Sequence, residues 1–325
     1  MKILGMGNAL VDIITRINDD ELLNTFGLPK GSMTLVDNET SNFINLETTG
    51  LPKQKASGGS AANTIHGLAH LGIETGFIGM VGDDDLGNFF YKDMKTKKIN
   101  PILFKSFKDT GRAIAFISPD SERTFATYLG AAIELSTEDI SSAVFSGYDF
   151  LYVEGYLVQN HKLIEKAMRL AKAGGLKICI DLASFNIVEE HKAFFQDIIK
   201  NYVDILFANN QEAEALTGEK PEKAVNILGE QTEITVVKKG AEGSLICRDG
   251  KVTEVGVRES NPVDTTGAGD MYAAGFLYGL LNGYSMEVCG NIGALISGRV
   301  IEVYGAKMDE ATWEKLRREV KSISE

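Results

Sequence analysis

Cysteine is scarce in this chain: three among 325 residues, Cys179, Cys247 and Cys289, widely spaced and odd in number. No Cys-x-x-Cys pair occurs, so a disulfide framework or a thiolate metal site lacks its residues. The pattern fits apolar thiols buried in a reducing, cytoplasmic setting. Long apolar runs are missing too, since none approaches the ~18 residues that cross a bilayer. Met1–Thr15 carries Asn8 and Asp12 inside its apolar stretch and has no small-residue cleavage site; it reads as a first strand, not a leader. Positive charge is also short, with 33 Lys and Arg against 45 Asp and Glu, a net charge of -12. That excludes the dense basic face on which sequence-independent nucleic-acid binding depends. Any anionic ligand must then be held locally, by backbone N–H groups and a few cations.

What is present is a globular composition, 44% hydrophobic, enough for a large buried core. Apolar, β-branched runs at Phe77–Val81, Phe150–Val153, Lys177–Asp181, Ile205–Ala208 and Ile234–Lys238 alternate with helical patterns at Ala61–Leu71, His161–Ala173, Glu212–Leu216 and Met271–Asn282. Strands separated by such helices imply βαβ crossovers, hence an α/β sandwich with a mainly parallel sheet covered on both faces. Residues 13–50 and 100–130, to within a few positions, break the rhythm with short alternating segments. Ser32–Asp37, Ala113–Ser118 and Arg123–Tyr128 are the clearest strands, with Pro119-Asp120-Ser121 as a turn. Together they suggest a small β lid over one core domain spanning 1–325. Internal repeats and low-complexity linkers are lacking.

Several familiar chemistries have no motif here. There is no Gly-x-x-x-x-Gly-Lys-[Ser/Thr] loop, and Gly5-x-Gly7 lacks the third glycine of a dinucleotide fingerprint. No Gly-x-Ser-x-Gly elbow supports a serine nucleophile. His66 and His70 stand one helical turn apart, a zinc spacing, but no Glu follows the first and no third ligand is evident, so packed or solvent-facing histidines are the better reading.

The informative stretch is Asp264-Thr265-Thr266-Gly267-Ala268-Gly269-Asp270. Small residues at 267–269 let the backbone approach another atom closely. The pattern after it (Met271, Ala274, Phe276, Leu277, Leu280, Leu281) is helical and ends at Gly283. A glycine-rich turn at a helix start offers unpaired N–H groups and the positive end of the dipole, a ready phosphate site. Asp270, in the first turn, can accept a proton from an attacking hydroxyl, and phosphoryl transfer asks only for a weak base. An ordinary capped helix start would carry the same Gly-x-Gly-Asp; the longer string and its Ala273–Phe276 continuation favour the phosphate site.

Asp264–Phe276 resembles the carboxy-terminal signature of the PfkB family, which includes ribokinase, fructokinase and adenosine kinase, and Ser57-Gly58-Gly59-Ser60-Ala61-Ala62-Asn63 resembles its amino-terminal one. The two fall in the expected order, and the resemblance runs over essentially the whole chain. It implies a Rossmann-like, ribokinase-like core with a β lid. It also implies an ATP-dependent kinase of a sugar or nucleoside hydroxymethyl, with Asp270 as base and Gly267, Ala268 and Gly269 as the anion hole.

Further roles follow from the same resemblance. Asn209 and Glu212 are similar to an Asn-x-x-Glu element near Mg²⁺ and the ATP phosphates, though Asn-x-x-Glu before a helix is also a plain capping box. Thr266, the loop with Gly240 and Gly243, and the segment Asn291–Ala294 fall where the nucleotide would lie, though a plain hairpin turn at 239–243 would look the same, and Asp264 falls where some members bind K⁺. Asp12, with Gly58, Gly59 and Asn63, would hold the acceptor hydroxyls, a carboxylate and an amide suiting a vicinal pair. Ribokinases usually carry Gly-Gly-Lys-Gly-x-Asn where this chain has Ser60 and Ala61; with Gly27–Asp37 that looks more like the adenosine kinase branch. Met33, Leu35, Phe116 and Tyr128 could stack on a base or simply pack the lid, and Arg123 is the lid's candidate substrate contact. A purine nucleoside leads as acceptor, with sugars and a catalytically silent binder as alternatives, acting as monomer or dimer since lid edges often pair.

Overall fold

The computed structural model describes residues 1–120, 122–182 and 184–324. Among the described residues fourteen strands form two sheets. They are β1 (Lys2–Met6), β2 (Leu10–Arg16), β3 (Met33–Leu35), β4 (Lys53–Gly58), β5 (Glu74–Gly82), β6 (Asn100–Ser106) and β7 (Gly111–Ile117). Then come β8 (Arg123–Tyr128), β9 (Phe150–Glu154), β10 (Lys177–Asp181), β11 (Ile205–Asn209), β12 (Ile234–Lys238), β13 (Ser244–Arg248) and β14 (Lys251–Val255). The larger, nine-stranded sheet runs β14-β13-β12-β11-β10-β9-β1-β5-β6. It is parallel from β6 to β12, and the β13–β14 hairpin closes one edge antiparallel.

Side chains alternate across each strand, so every central strand feeds two cores. Ile3, Tyr152, Cys179 and Phe207 face one layer, with Ile65, Phe276 and Leu277 from the helices Ser60–His70 and Ala268–Leu281. Leu4, Leu151, Ile180 and Leu206 face the other, with Ile164, Phe195 and Ala224. That two-sided burial explains the near-continuous apolar strands, the mark of a parallel sheet. All three cysteines are buried and unpaired, as their spacing suggested. Among the described residues no helix is long and apolar enough to cross a membrane.

The smaller sheet, β3-β8-β7-β2-β4, is the expected lid, with changed membership. Asn100–Ser106, read with the lid, pairs with β5 in the large sheet. Conversely β4, outside the expected lid segments, pairs with β2. The 13–50 segment is also not all strand: Asn38–Glu47 is a helix, N-capped by Asp37, whose carboxylate accepts from the Thr40 amide at 2.8 Å. The turn expected at Pro119-Asp120-Ser121 includes Ser121, which lies outside the described residues.

Candidate active site

Strand order in the large sheet reverses between β1 and β9, and open α/β sheets bind ligands at the carboxyl ends of strands at such a switch point. Four adjacent parallel strands end in polar residues: Glu154 on β9, Asp181 on β10, Asn209 on β11 and Lys238 on β12. All four line one cavity of about 1290 Å³, which also receives Asp12, Asp270 and the inner face of the lid. Glu154 anchors the switch point. Its Oε1 accepts from the Asn8 amide (2.9 Å) and the Asn8 side chain (2.7 Å), and its Oε2 from the Ala61 amide (2.9 Å). Burial pushes its carboxyl up to about 7 in spite of those donors.

Asp270 occupies the first turn of Ala268–Leu281. Its Oδ1 accepts from Ser60 Oγ at 2.7 Å and its Oδ2 from Asn63 Nδ2 at 3.0 Å, both from the start of the Ser60–His70 helix. Burial and the Asp181 charge raise it while these donors and Lys238 lower it; the net is about 6, so at neutral pH it is ionised and can take a proton. The helix cap is Gly267 at φ +74°, and no side chain caps it. The glycine is required twice over, because a Cβ there would lie 2.5 Å from the Ala306 Cβ and the left-handed conformation disfavours other residues. The amides of Gly269 and Asp270 belong to the helix's first turn and have no intrahelical acceptor. The Ala268 amide, expected in the same cradle, instead donates to Thr265 O at 3.2 Å. The Lys238 ammonium lies 3.2 Å from where a Gly269 Cβ would stand, so a cation underlies the cradle. It is held by Asp181 at 2.8 and 3.0 Å.

At the lid end of the cavity Asp12, on β2, lines the wall. Gly58 lies against its carboxylate, 2.4 Å from an added Cβ, and is not itself in the wall; Gly59, at φ +98°, is. Asn63 lines the cavity and leaves its buried Oδ1 without a partner. The lid contributes Met33, Leu35, Ala113, Phe125 and Thr127. Met33 and Leu35 are exposed apolar residues, 54% and 58% accessible, ready to cover a ligand. Phe116 is fully buried against Phe26 and faces away, and Tyr128 lies under the Arg112 guanidinium, so neither stacks in the pocket. Phe125 is the lid aromatic in the cavity; it pairs with Ala115, one position from the Phe116–Thr124 pair, so the two rings take opposite faces of the sheet.

The residues that the resemblance puts beside a nucleotide are arranged differently from the expectation. Asn209 and Glu212 do form a capping box: the Asn209 amide and side chain donate to Glu212 (both 2.7 Å) and the Glu212 amide to Asn209 Oδ1 (2.9 Å). Both residues nonetheless line the cavity, as do Gly240, Gly243 and Thr266. Asn291 does not; its side chain joins Arg258 (3.1 Å) and Glu287 O (2.9 Å), and Ala294, Ser297 and Gly298 form that wall. Asp264 ion-pairs with Arg123 from β8 and accepts from the Thr266 and Gly305 amides (3.0 and 2.5 Å). A potassium ion there would have to displace the guanidinium, and Arg123 is thereby engaged by protein, not free for substrate. His66 and His70 hold no metal site: His66 meets Ser57 Oγ at 3.2 Å, and His70 stacks on Trp313. Among the described residues no group of three acidic, His or Cys side chains could hold a metal.

Sequence reasoning missed Glu154, Asp181, Lys238 and Ser60. The signal for the first three was a charged residue closing an apolar strand.

Comparison with known proteins then identifies the class. Residues 32–313 match the model of the pfkB family carbohydrate kinases, and the chain belongs to that family, phosphotransferases with an alcohol group as acceptor. A probable sugar kinase from Rhizobium etli superposes with TM-score 0.86 at 34% identity, covering 99% of this chain and 98% of that one. The adenosine kinase from Sinorhizobium meliloti gives TM-score 0.84 at 36% identity, covering 97% and 98%. The 5-dehydro-2-deoxygluconokinase of Geobacillus thermodenitrificans is 28% identical over 83% of this chain and 85% of its own.

Proposed function

We propose that the chain transfers the γ-phosphate of ATP to the hydroxymethyl group of a ribose-bearing nucleoside of the adenosine type. The observation that carries this reading is the cavity itself. It joins Asp270 and a helix-start cradle at one end to Asp12 and an exposed apolar lid face at the other. A free sugar has little use for Met33, Leu35 and Phe125; a purine would cover them.

The acceptor hydroxymethyl would lie against Asp270, which takes its proton late as the bond to phosphorus forms. Ser60 and Asn63 hold that carboxylate in place. Asp12 and Asn63 would receive the remaining hydroxyls. The amides at 269–270 and the Lys238 ammonium would face the charge on the transferred group, where fixed donors act most strongly. Gly240, Gly243 and the Ala294–Gly298 wall would lie along the nucleotide. Glu212 would help to hold Mg²⁺, largely through water as that ion commonly is held, and the ion would supply positive charge against the phosphates. Apolar lid residues closing over the reactants would exclude water. The enzyme would act in the cytoplasm.

The test is ADP release with nucleosides and sugars offered one at a time, beside Asp270→Asn. Adenosine-type nucleosides should give the highest kcat/KM. Preference for a free sugar or keto-sugar acid overturns the nucleoside assignment, and full turnover by Asp270→Asn overturns the base.

A further inference from the structure

Behind the acceptor pocket lies a lysine that the reaction as described leaves idle. Lys307 sits on the strap Tyr304–Met308, which crosses the start of the Ala268–Leu281 helix. Gly305 donates to Asp264 at 2.5 Å, Ala306 packs on Gly267, Gly305 abuts Ile14 of β2, and Met308 enters the core beside Trp313. The strap is therefore fixed at four points, and the Lys307 side chain runs inward with its ammonium buried and without a hydrogen-bond partner. A buried unpaired ammonium is costly and is normally lost or paired.

The charges that act on it are Asp12 on β2, Asp93 on the helix Asp85–Thr96, Asp270 on the Ala268–Leu281 helix, and Lys97, which opposes them. His66 and His70, on the Ser60–His70 helix, feel its field and are held neutral, mainly by burial. Asp93 already has partners, since Ser57 Oγ donates to it at 2.5 Å and His66 lies at 3.4 Å. Asp270 has Ser60 and Asn63. Of these three carboxylates Asp12 is the one with no hydrogen-bond donor among the described residues, and it lines the cavity.

We infer that Lys307 is a positioning residue for acceptor binding, an internal counter-charge that keeps the Asp12 carboxylate available to the acceptor hydroxyls. This rests on the acceptor role given to Asp12 above. Burial, the larger effect on each group, takes Asp12 up to about 6 and Lys307 down to about 8, and their attraction opposes both movements. Arg123 supports Asp12 from β8, and Asp270 opposes it. Without Lys307, Asp12 would hold its proton into the neutral range and donate where it should accept. A nearby opposite charge is worth roughly one to three pH units to a carboxyl group.

Two titrations decide the matter without needing turnover. Carboxyl NMR should show the Asp12 midpoint rising by about one pH unit or more in Lys307→Met. In Asp12→Asn, which disturbs little volume, the Lys307 ammonium should titrate lower than in the wild type. With a substrate in hand, Lys307→Met should move the acid limb of kcat/KM upward by the same interval. It should also raise the acceptor KM about three- to tenfold at pH 6.5, while Lys307→Arg keeps the wild-type limb. A merely structural lysine would lower the melting temperature and leave both midpoints in place, and that result overturns the inference. If no acceptor is turned over, the kinase assignment fails, and the titrations still decide the coupling.

Discussion

Arg123 and Asp264 tie the lid to the turn that precedes the Ala268–Leu281 helix, and the strength of that tie can be measured. The pair is buried, with side-chain exposures of 8% and 3%. Arg123→Met leaves the Asp264 carboxylate with two amide donors, Thr266 and Gly305, and no cation. Removing one member of a buried pair costs about 3–5 kcal/mol, because the other charge remains in place. The surviving amides put this case near the lower end, about 3 kcal/mol. With an m-value of about 3 kcal/mol/M in urea, the midpoint should fall by about 1 M. Asp264→Asn should cost a similar amount, since the Arg123 Nε already lacks a partner and would gain none. The double variant should be less destabilised than the sum of the two by about 2 kcal/mol. Fluorescence of the single, buried Trp313 reports the transition. Burial raises the Asp264 carboxyl, but Arg123 and the two amides more than offset it, and the net position is low. Stability from a depressed carboxyl is present above its ordinary value and lost as pH falls through the folded one. The gap between wild type and Arg123→Met should therefore close in acid. Strict additivity of the two single variants, or a gap independent of pH, would refute the latch.

Asp270→Asn should cut turnover by a factor of about 10²–10⁴ while nucleotide and acceptor still bind, checked by single-turnover assay and calorimetry. The same variant should melt higher than wild type at pH 8. An acid raised to about 6 lets its proton stabilise the fold, and that contribution fades as pH climbs from the ordinary carboxylate value through 6. The acid limb of kcat/KM should accordingly fall near pH 6, where both Asp270 and Asp12 titrate. Gly267→Ala must adopt a left-handed backbone, about 1–2 kcal/mol, and meet the Ala306 Cβ at 2.5 Å. It should weaken kcat/KM for ATP and spare acceptor affinity, and equal losses on both sides would contradict the phosphate cradle.

Local pattern carried the sequence reading as far as local forces reach. His161–Ala173 and Arg123–Tyr128 emerge with the expected limits, because a strong apolar stripe settles the first and a short strand-favouring run after a turn the second. β4 was invisible: Lys-Gln-Lys-Ala-Ser-Gly at a sheet edge has no apolar face to betray it. β6 was legible as a strand but not as a member of the large sheet, since partner choice is a long-range matter that periodicity does not encode. The site divides the same way. Asp270 and the 267–269 turn could be read because their chemistry is contiguous in sequence. Glu154, Asp181 and Lys238 become a site only when parallel pairing sets β9, β10, β11 and β12 side by side. Lys307 needed the strap's path to be known.

That assembly has an electrostatic consequence for the nucleotide. The cavity wall carries six acidic residues, Asp12, Glu154, Asp181, Glu212, Glu259 and Asp270, against two basic ones, Lys238 and Arg258. Lys238 is already committed to Asp181, so a bare triphosphate would meet a wall that repels it. Binding should require the nucleotide's charge to be offset by a divalent cation, and chelation should abolish it. Glu212 makes the coupling measurable. Burial raises it to about 8, helped by Asp181 and opposed by Lys238 and the Asn209 amide, so near neutral pH it is largely protonated before the cation arrives. A cation beside it favours the carboxylate, and uptake must release a proton. Affinity for the magnesium nucleotide should therefore strengthen as pH rises toward 8 and level off above it. Binding heats should differ between buffers of unlike ionisation enthalpy, and the difference should vanish in Glu212→Gln. Equal affinity for ATP with and without the metal would mean that these carboxylates do not face the phosphates.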